Sequence, residues 1–250
     1  MSTTSERVGG GEGHAVGLPA ASPVACSKIP MARRTKQAAA NNERPTRVLL
    51  VRHGLTDSTG AILPGRTPGL NLSATGRAQA ERTAELIADG TTVDAVYTSS
   101  LERARQTATP IAAATGLRAK VDRGLIECDF GEWTGQQLAS LMKQPEWATV
   151  QRAPSSFRFP GGESFVEMQL RIVSTIDRLR AAHRGGTIVC VSHADPIKAA
   201  IAQAIGTHLD LFQRIVISPA SVSVLAYLAG GPVVLSVNST GRPLKDLSPS

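Results

Sequence analysis

Val48, Leu49, Leu50 and Val51 form an unbroken apolar run of strand length that stops abruptly at Arg52-His53-Gly54. A strand alternating apolar and polar residues can leave one face in water. A continuous run must be covered on both faces, which places it centrally in a largely parallel sheet. The design recurs at Thr187 to Val191, which runs into Ser192-His193. Further strand candidates are Val93 to Tyr97, Ile215 to Ser218, Val222 to Leu228 and Val233 to Val237. Gly230-Gly231-Pro232 joins the last two as a closing hairpin. Because these runs alternate with helical segments from Thr46 onward, βαβ units are expected.

Caps mark the helices. Ser99 to Glu102, Thr134 to Gln137 and Ser164 to Glu167 each fit the capping box, and Asp195-Pro196 reads as an N-cap followed by proline at the first helical position. From Ser164 to about Ala182, Phe165, Met168, Ile172, Ile176 and Leu179 recur at steps of three and four and predict one buried stripe.

The 250 residues are 42% hydrophobic and 19% charged, and no apolar run approaches the roughly 20 residues of a membrane helix. A soluble chain is expected. Residues 1 to 45, rich in Gly, Ser, Ala, Thr and Asn and without apolar period, read as a disordered tail, residues 46 to 240 as the folded domain, and residues 241 to 250 as a short flexible tail. Of the net charge of +7, the first 45 residues carry +3, which leaves +4 on the remainder. That is too little for a nucleic-acid surface, and an aromatic content of 4% offers bases few stacking platforms. It does suit a small anionic substrate. Cys26, Cys128 and Cys190, odd in number and far apart, match neither a disulfide framework nor a zinc site, and a reducing cytoplasm is the simplest compartment.

The ends of the strands carry the chemistry. In open α/β sheets ligands bind at the carboxyl ends of strands, where Arg52 and His53 fall, and Gly54 allows a ligand or another backbone to come close. Taken alone, Arg-His-Gly is no more than a solvated turn. Arg103 falls in the first turn of the helix that follows Val93 to Tyr97, where its guanidinium can reach back over the sheet edge beside free backbone N–H groups, a good place to hold phosphate. Arg105, two residues on, points elsewhere. His193 ends a second buried strand, just before another helix. Two strands ending in histidine, with an arginine at a third junction, form a constellation rather than a motif.

Val-Arg-His-Gly-Leu-Thr at 51 to 56, Thr-Ser-Ser-Leu-Glu-Arg-Ala at 98 to 104, Leu-Ile-Glu-Cys-Asp-Phe-Gly-Glu-Trp at 125 to 133 and Val-Ser-His at 191 to 193 together resemble the histidine phosphatase, or phosphoglycerate mutase-like, superfamily. The resemblance covers essentially residues 46 to 240. It implies a three-layer α/β/α sandwich with a mostly parallel central sheet and a phosphomonoester hydrolase acting on small phosphorylated metabolites. His53 would be the nucleophile forming a phosphohistidine. Arg52 and Arg103 would hold the phosphoryl oxygens, His193 would complete the pocket, and Glu127 would donate the proton. Thr56, Gly65, Arg66 and Ala194 would line the substrate pocket, a plain surface role for Arg66 being nearly as natural. No cofactor and no metal is implied, and monomer and homodimer are both open.

Asp129 and Glu132 compete with Glu127 as acid. Leu125-Ile126 would tuck Glu127 into apolar surroundings that raise a carboxyl pKa, whereas Glu132 precedes a cap and reads as solvated. Trp133 reads as packing, Ser164 as a helix cap, and His14, His183 and His208 as surface. Cys128 adjoins the acid, but no base is specified for it. Gly161-Gly162-Glu163-Ser164 resembles a recurrent loop of the family. Mutase-type phosphotransfer and ribazole-phosphate hydrolysis are the alternatives within it. The stretch from Cys128 to Gly162 is short and offers only Lys143, Arg152 and Arg158 to a second phosphate, which favours hydrolysis. A catalytically silent binding module would not need both histidines, both arginines and the carboxylate.

Overall fold

The computed structural model describes residues 44–241. Apart from residues 44, 45 and 241, both expected tails lie outside the described residues. Six strands, β1 (Thr46–Arg52), β2 (Ala95–Thr98), β3 (Ala119–Val121), β4 (Thr187–Ser192), β5 (Val222–Leu228) and β6 (Gly231–Ser239), form one sheet in the order β3-β2-β4-β1-β5-β6. The first four in that order run parallel, while β5 is antiparallel to β1 and β6 to β5. The sheet is therefore mixed, and its parallel half brings the carboxyl ends of β1, β2 and β4 to one edge.

The unbroken apolar run of β1 lies between β4 and β5 and is covered on both faces. Val48 and Leu50 belong to a core cluster with Ile172 and Ile176 of α5 (Phe165–Ala182) and Ile197 and Ile201 of α6 (Ala194–Ala204). Leu49 and Val51, pointing the other way, belong to a second cluster with Ala84 and Ile87 of α1 (Ala74–Ala88) and Ala104, Ala108 and Ile111 of α2 (Glu102–Ala114). Burial of each Val, Leu or Ile side chain here is worth about 1.5 to 3 kcal/mol, so packing on the strands contributes strongly to holding both layers of helices. The stripe predicted on α5 is buried as expected, with Thr175 added, and Ser164 closes a full capping box with Glu167. Between α2 and α5 the chain makes 3-10 turns and two short helices, α3 (Leu138–Leu141) and α4 (Glu146–Arg152).

Several local expectations are corrected. Ile215 to Ser218 is not a strand: β5 already occupies the flank of β1, and the carbonyl of Ile217 accepts instead from Arg52 Nη1 at 2.6 Å. The closing turn is Ala229-Gly230, with Pro232 on the outer strand β6, where a missing N–H is tolerated. Helix α6 is N-capped by His193 rather than Asp195, and α2 by Leu101 rather than Ser99, whose hydroxyl accepts from the Leu101 N–H at 3.3 Å and lies 2.8 Å from His193 Nε2. Thr134 is the C-cap of a 3-10 turn, and the next helix is N-capped by Gln137 instead. His183 is half-buried and bonded to Tyr97 Oη at 2.9 Å. His208 is exposed as expected, and His14 and Cys26 lie outside the described residues.

Candidate active site

Arg52 ends β1 and His53 follows it, lying 5% exposed where the chain leaves the sheet. Gly54 then passes so close to α1 that a Cβ there would sit 2.5 Å from the carbonyl oxygen of Gly76, so the glycine serves the approach of another backbone. The Gly54 N–H donates to Thr107 Oγ1 on α2. Its carbonyl lies 2.8 Å from His53 Nδ1, an arrangement that fixes the proton on Nδ1 and leaves a lone pair on Nε2. Arg103 Nε, in the first turn of α2, donates to that Nε2 at 3.2 Å, and Arg103 Nη2 donates to the Gly65 carbonyl at 2.8 Å. Burial, then Arg103 and Arg52, push the His53 pKa down to about 3, so the ring is neutral at physiological pH.

His193 stands beside it, fully buried, with ring centroids 5.1 Å apart. Its Nε2 lies 2.8 Å from Ser99 Oγ, and burial followed by the charge of Arg103 holds its pKa well below the ordinary value. Glu127 is 7% exposed, with Oε2 3.9 Å from His193 Nδ1 and Oε1 accepting from the Cys128 N–H. Burial, and secondarily the charge of Asp195, raises its pKa to about 7 against the pull of Arg103 and Arg52. With both rings neutral, this contact is not an ion pair. Three buried nitrogens have no hydrogen-bond partner among the described residues: Arg52 Nε, Arg103 Nη1 and His193 Nδ1. Two guanidinium groups with unused donors, Arg103 fully buried and Arg52 partly so, form a strong anion site beside the two neutral imidazoles.

Thr56 is buried, its hydroxyl 2.9 Å from that of Thr59. Gly65 has φ +49 and packs against Thr134, which lies 2.8 Å from where a Cβ would stand. Ala194 opens α6 beside His193. Arg66 is drawn to the loop of Glu127: its Nε donates to the Glu127 carbonyl at 3.0 Å, Nη1 to Asp129 at 3.1 Å, and Nη2 lies 2.9 Å from Glu163. Asp129 is thus paired, and Glu132 is exposed. Trp133 is buried in an aromatic cluster with Phe157 and Phe159. Cys128 is buried, which pushes its thiol pKa up and makes a thiolate nucleophile costly.

In the sequence Ser99 and Asp195 read as caps, and no pattern points to Arg171. The signal for Ser99 was its place at the end of β2, on the same sheet edge as the two histidines. Arg171 of α5 donates to the carbonyls of Gly124, Ile126 and Glu127 and to both oxygens of Glu163. Burial pushes the Glu163 carboxyl up, but Arg171, the Asp129 N–H and Arg66 together carry it below its ordinary value.

Among known proteins, a Mycobacterium tuberculosis protein described as bifunctional is 36% identical over 201 residues, which are 79% of this chain and 55% of that protein. The chain thus spans little more than half the length of that relative. Phosphoserine phosphatase 1 of Hydrogenobacter thermophilus is 31% identical over 202 residues, covering 78% of this chain and 92% of its own. Of solved structures, the mycobacterial glucosyl-3-phosphoglycerate phosphatase matches with a TM-score of 0.72 at 27% identity, over 78% of this chain and 100% of its own. The model of the histidine phosphatase superfamily (branch 1) matches residues 48–240, which hold the whole site described above. On that match, and on the sheet edge that gathers His53, His193, Arg52, Arg103 and Glu127, the chain belongs to the histidine phosphatase superfamily.

Proposed function

We propose that this chain hydrolyses small phosphomonoesters through a phosphohistidine on His53. The observation that carries the reading is the state of that ring: neutral, with its proton held on Nδ1 by the Gly54 carbonyl and its Nε2 lone pair beside Arg103. A phosphoryl group entering the site would take over the Arg103 donor together with the unpartnered donors of Arg52 and His193. The Nε2 lone pair then attacks phosphorus, the P–O bond to the leaving group breaks, and the departing oxygen takes the proton of Glu127. In the second step the Glu127 carboxylate removes a proton from water. The water oxygen bonds to phosphorus, and the P–N electron pair returns to Nε2. Both guanidinium groups face the charge spread over the transferring oxygens throughout. A pKa near 7 suits Glu127 to giving and taking the proton in turn.

Hydrolysis is favoured over mutase transfer by the placement of the basic residues between Cys128 and Gly162. Lys143 and Arg152 are exposed, and Arg158 is paired with Glu167, so none of them joins Arg52 and Arg103. Similar proteins are named for phosphoserine, for glucosyl-3-phosphoglycerate and, putatively in name, for α-ribazole-5′-phosphate. A small phosphorylated metabolite is the substrate class proposed here. A panel of phosphomonoesters assayed for phosphate release tests this, with 3-phosphoglycerate plus bisphosphoglycerate assayed for mutase turnover. Mutase turnover matching the fastest hydrolysis would overturn the reading.

A further inference from the structure

The loop from Asp122 to Phe130 that carries Glu127 contains one 3-10 turn and no strand, so its carbonyls have no sheet ladder to join. Those of Gly124 to Glu127 are held by side chains, that of Leu125 by Ser192 Oγ at 2.7 Å. Arg171 reaches from α5 and donates to the carbonyls of Gly124 at 2.9 Å, Ile126 at 2.8 Å and Glu127 at 3.3 Å. Arg66 approaches from the segment between β1 and α1 and donates to the same Glu127 carbonyl at 3.0 Å. Between the two guanidinium groups stands the carboxylate of Glu163, next to the capped start of α5. It accepts from Arg171 through both oxygens at 2.9 Å, and its Oε2 meets Arg66 Nη2 at 2.9 Å and accepts from the Asp129 N–H at 3.0 Å. Glu163 is also tied by its backbone, its N–H donating to the Asp129 carbonyl.

We infer that Glu163, held between Arg66 and Arg171, is a positioning residue that sets where the Glu127 carboxyl stands relative to His193 and the two site arginines. This rests on the donor role proposed for Glu127. The geometry supports positioning over mere anchoring because both arginines converge on the peptide carbonyl of Glu127 itself, and a carboxyl on a short side chain moves with its own backbone. Without the negative charge of Glu163 the two guanidinium groups would face each other without their shared partner, and the clamp on that carbonyl would slacken. Glu163 touches neither ring nor either site arginine in the described residues, so its loss leaves the nucleophile and the anion site in place.

Glu163→Gln keeps the shape and removes the charge. On an alkyl phosphomonoester its kcat should fall about tenfold to a hundredfold, as a displaced catalytic group does, with KM changing less than about threefold. An activated aryl ester, whose leaving group needs little proton donation, should lose less than about threefold. In a Glu127→Gln background the same substitution should subtract nothing further. Equal losses on both esters, or a full additional loss in the double variant, would overturn the inference. If Glu163→Gln fails to fold, the partly exposed Arg66→Gln must show the same alkyl-selective loss, and its absence is equally fatal. Should Glu127→Gln itself show no preference between esters, the donor assignment fails first and this inference with it. Selective loss in Glu127→Gln without it in Glu163→Gln overturns the positioning role alone.

Discussion

Replacing Glu127 by glutamine should make the protein more stable and less active, with both effects governed by one proton. The carboxyl is 7% exposed and its pKa stands at about 7 against an ordinary 4.5. At pH 7 about half of these groups are protonated, whereas an ordinary carboxyl would keep its proton in roughly one molecule in three hundred. A raised value means that the folded state binds the proton more tightly than the unfolded chain. The stability contributed by the neutral carboxyl is therefore fully present below about pH 4.5 and is lost as pH rises through about 7. At about 1.4 kcal/mol for each pKa unit, the wild-type protein forfeits about 3 kcal/mol by pH 8.5. Glutamine can accept the Cys128 N–H as Oε1 does and has no charge to bury. The melting temperature of Glu127→Gln relative to wild type should thus rise from near equality at pH 4 to a gain of several degrees at pH 8.5. Over the same range the wild-type kcat on alkyl esters should fall above about pH 7, and in the glutamine variant that limb should vanish from a much lower plateau. A melting difference that does not change with pH would refute the buried, protonated carboxyl. An unaltered alkaline limb in the variant would refute its role as donor.

Two further outcomes follow from the same geometry. His53→Ala should abolish turnover and leave the fold intact; acid-quench labelling of the wild type with a radioactive phosphomonoester should yield an acid-labile, base-stable adduct that the alanine variant lacks. Gly54→Ala places a Cβ 2.5 Å from the Gly76 carbonyl oxygen, so it should destabilise the fold by about 1 to 3 kcal/mol in urea unfolding and displace His53 enough to slow hydrolysis of alkyl and aryl esters alike.

How much could be read from the chain alone depends on how far the relevant forces reach. The unbroken runs at Val48 to Val51 and Thr187 to Val191 and the stripe on α5 are local patterns, and each stands as a buried element. Helix α1 and the edge strand β3 escaped notice, the one for want of a marked apolar stripe and the other because its three residues are all exposed. The strand ends declared Arg52, His53 and His193 because a charged or imidazole side chain directly after a buried strand must lie at the sheet edge. Ser99 and Asp195 looked like caps, since a hydroxyl or carboxylate before a helix serves that purpose in most chains. The fold gave the Ser99 hydroxyl to His193, 94 positions away, and left Asp195 near enough to Glu127 to raise its pKa. Ile215 to Ser218 has the composition of a strand and is none, because pairing requires a free edge and β5 had taken it.

The identity of the groups proposed to react and their order along the chain are therefore properties of the sequence, set by short-range patterns that need no partner. Their protonation states are not. His53 is neutral because it is desolvated and faces Arg103, 50 residues on, and Glu127 keeps a proton near neutrality because the fold strips it of water beside Asp195. The loop of Glu127 is held by Arg66 and Arg171, brought from opposite sides to one carbonyl. Desolvation and Coulomb interaction depend on distance through space, and those distances exist only once the chain has folded.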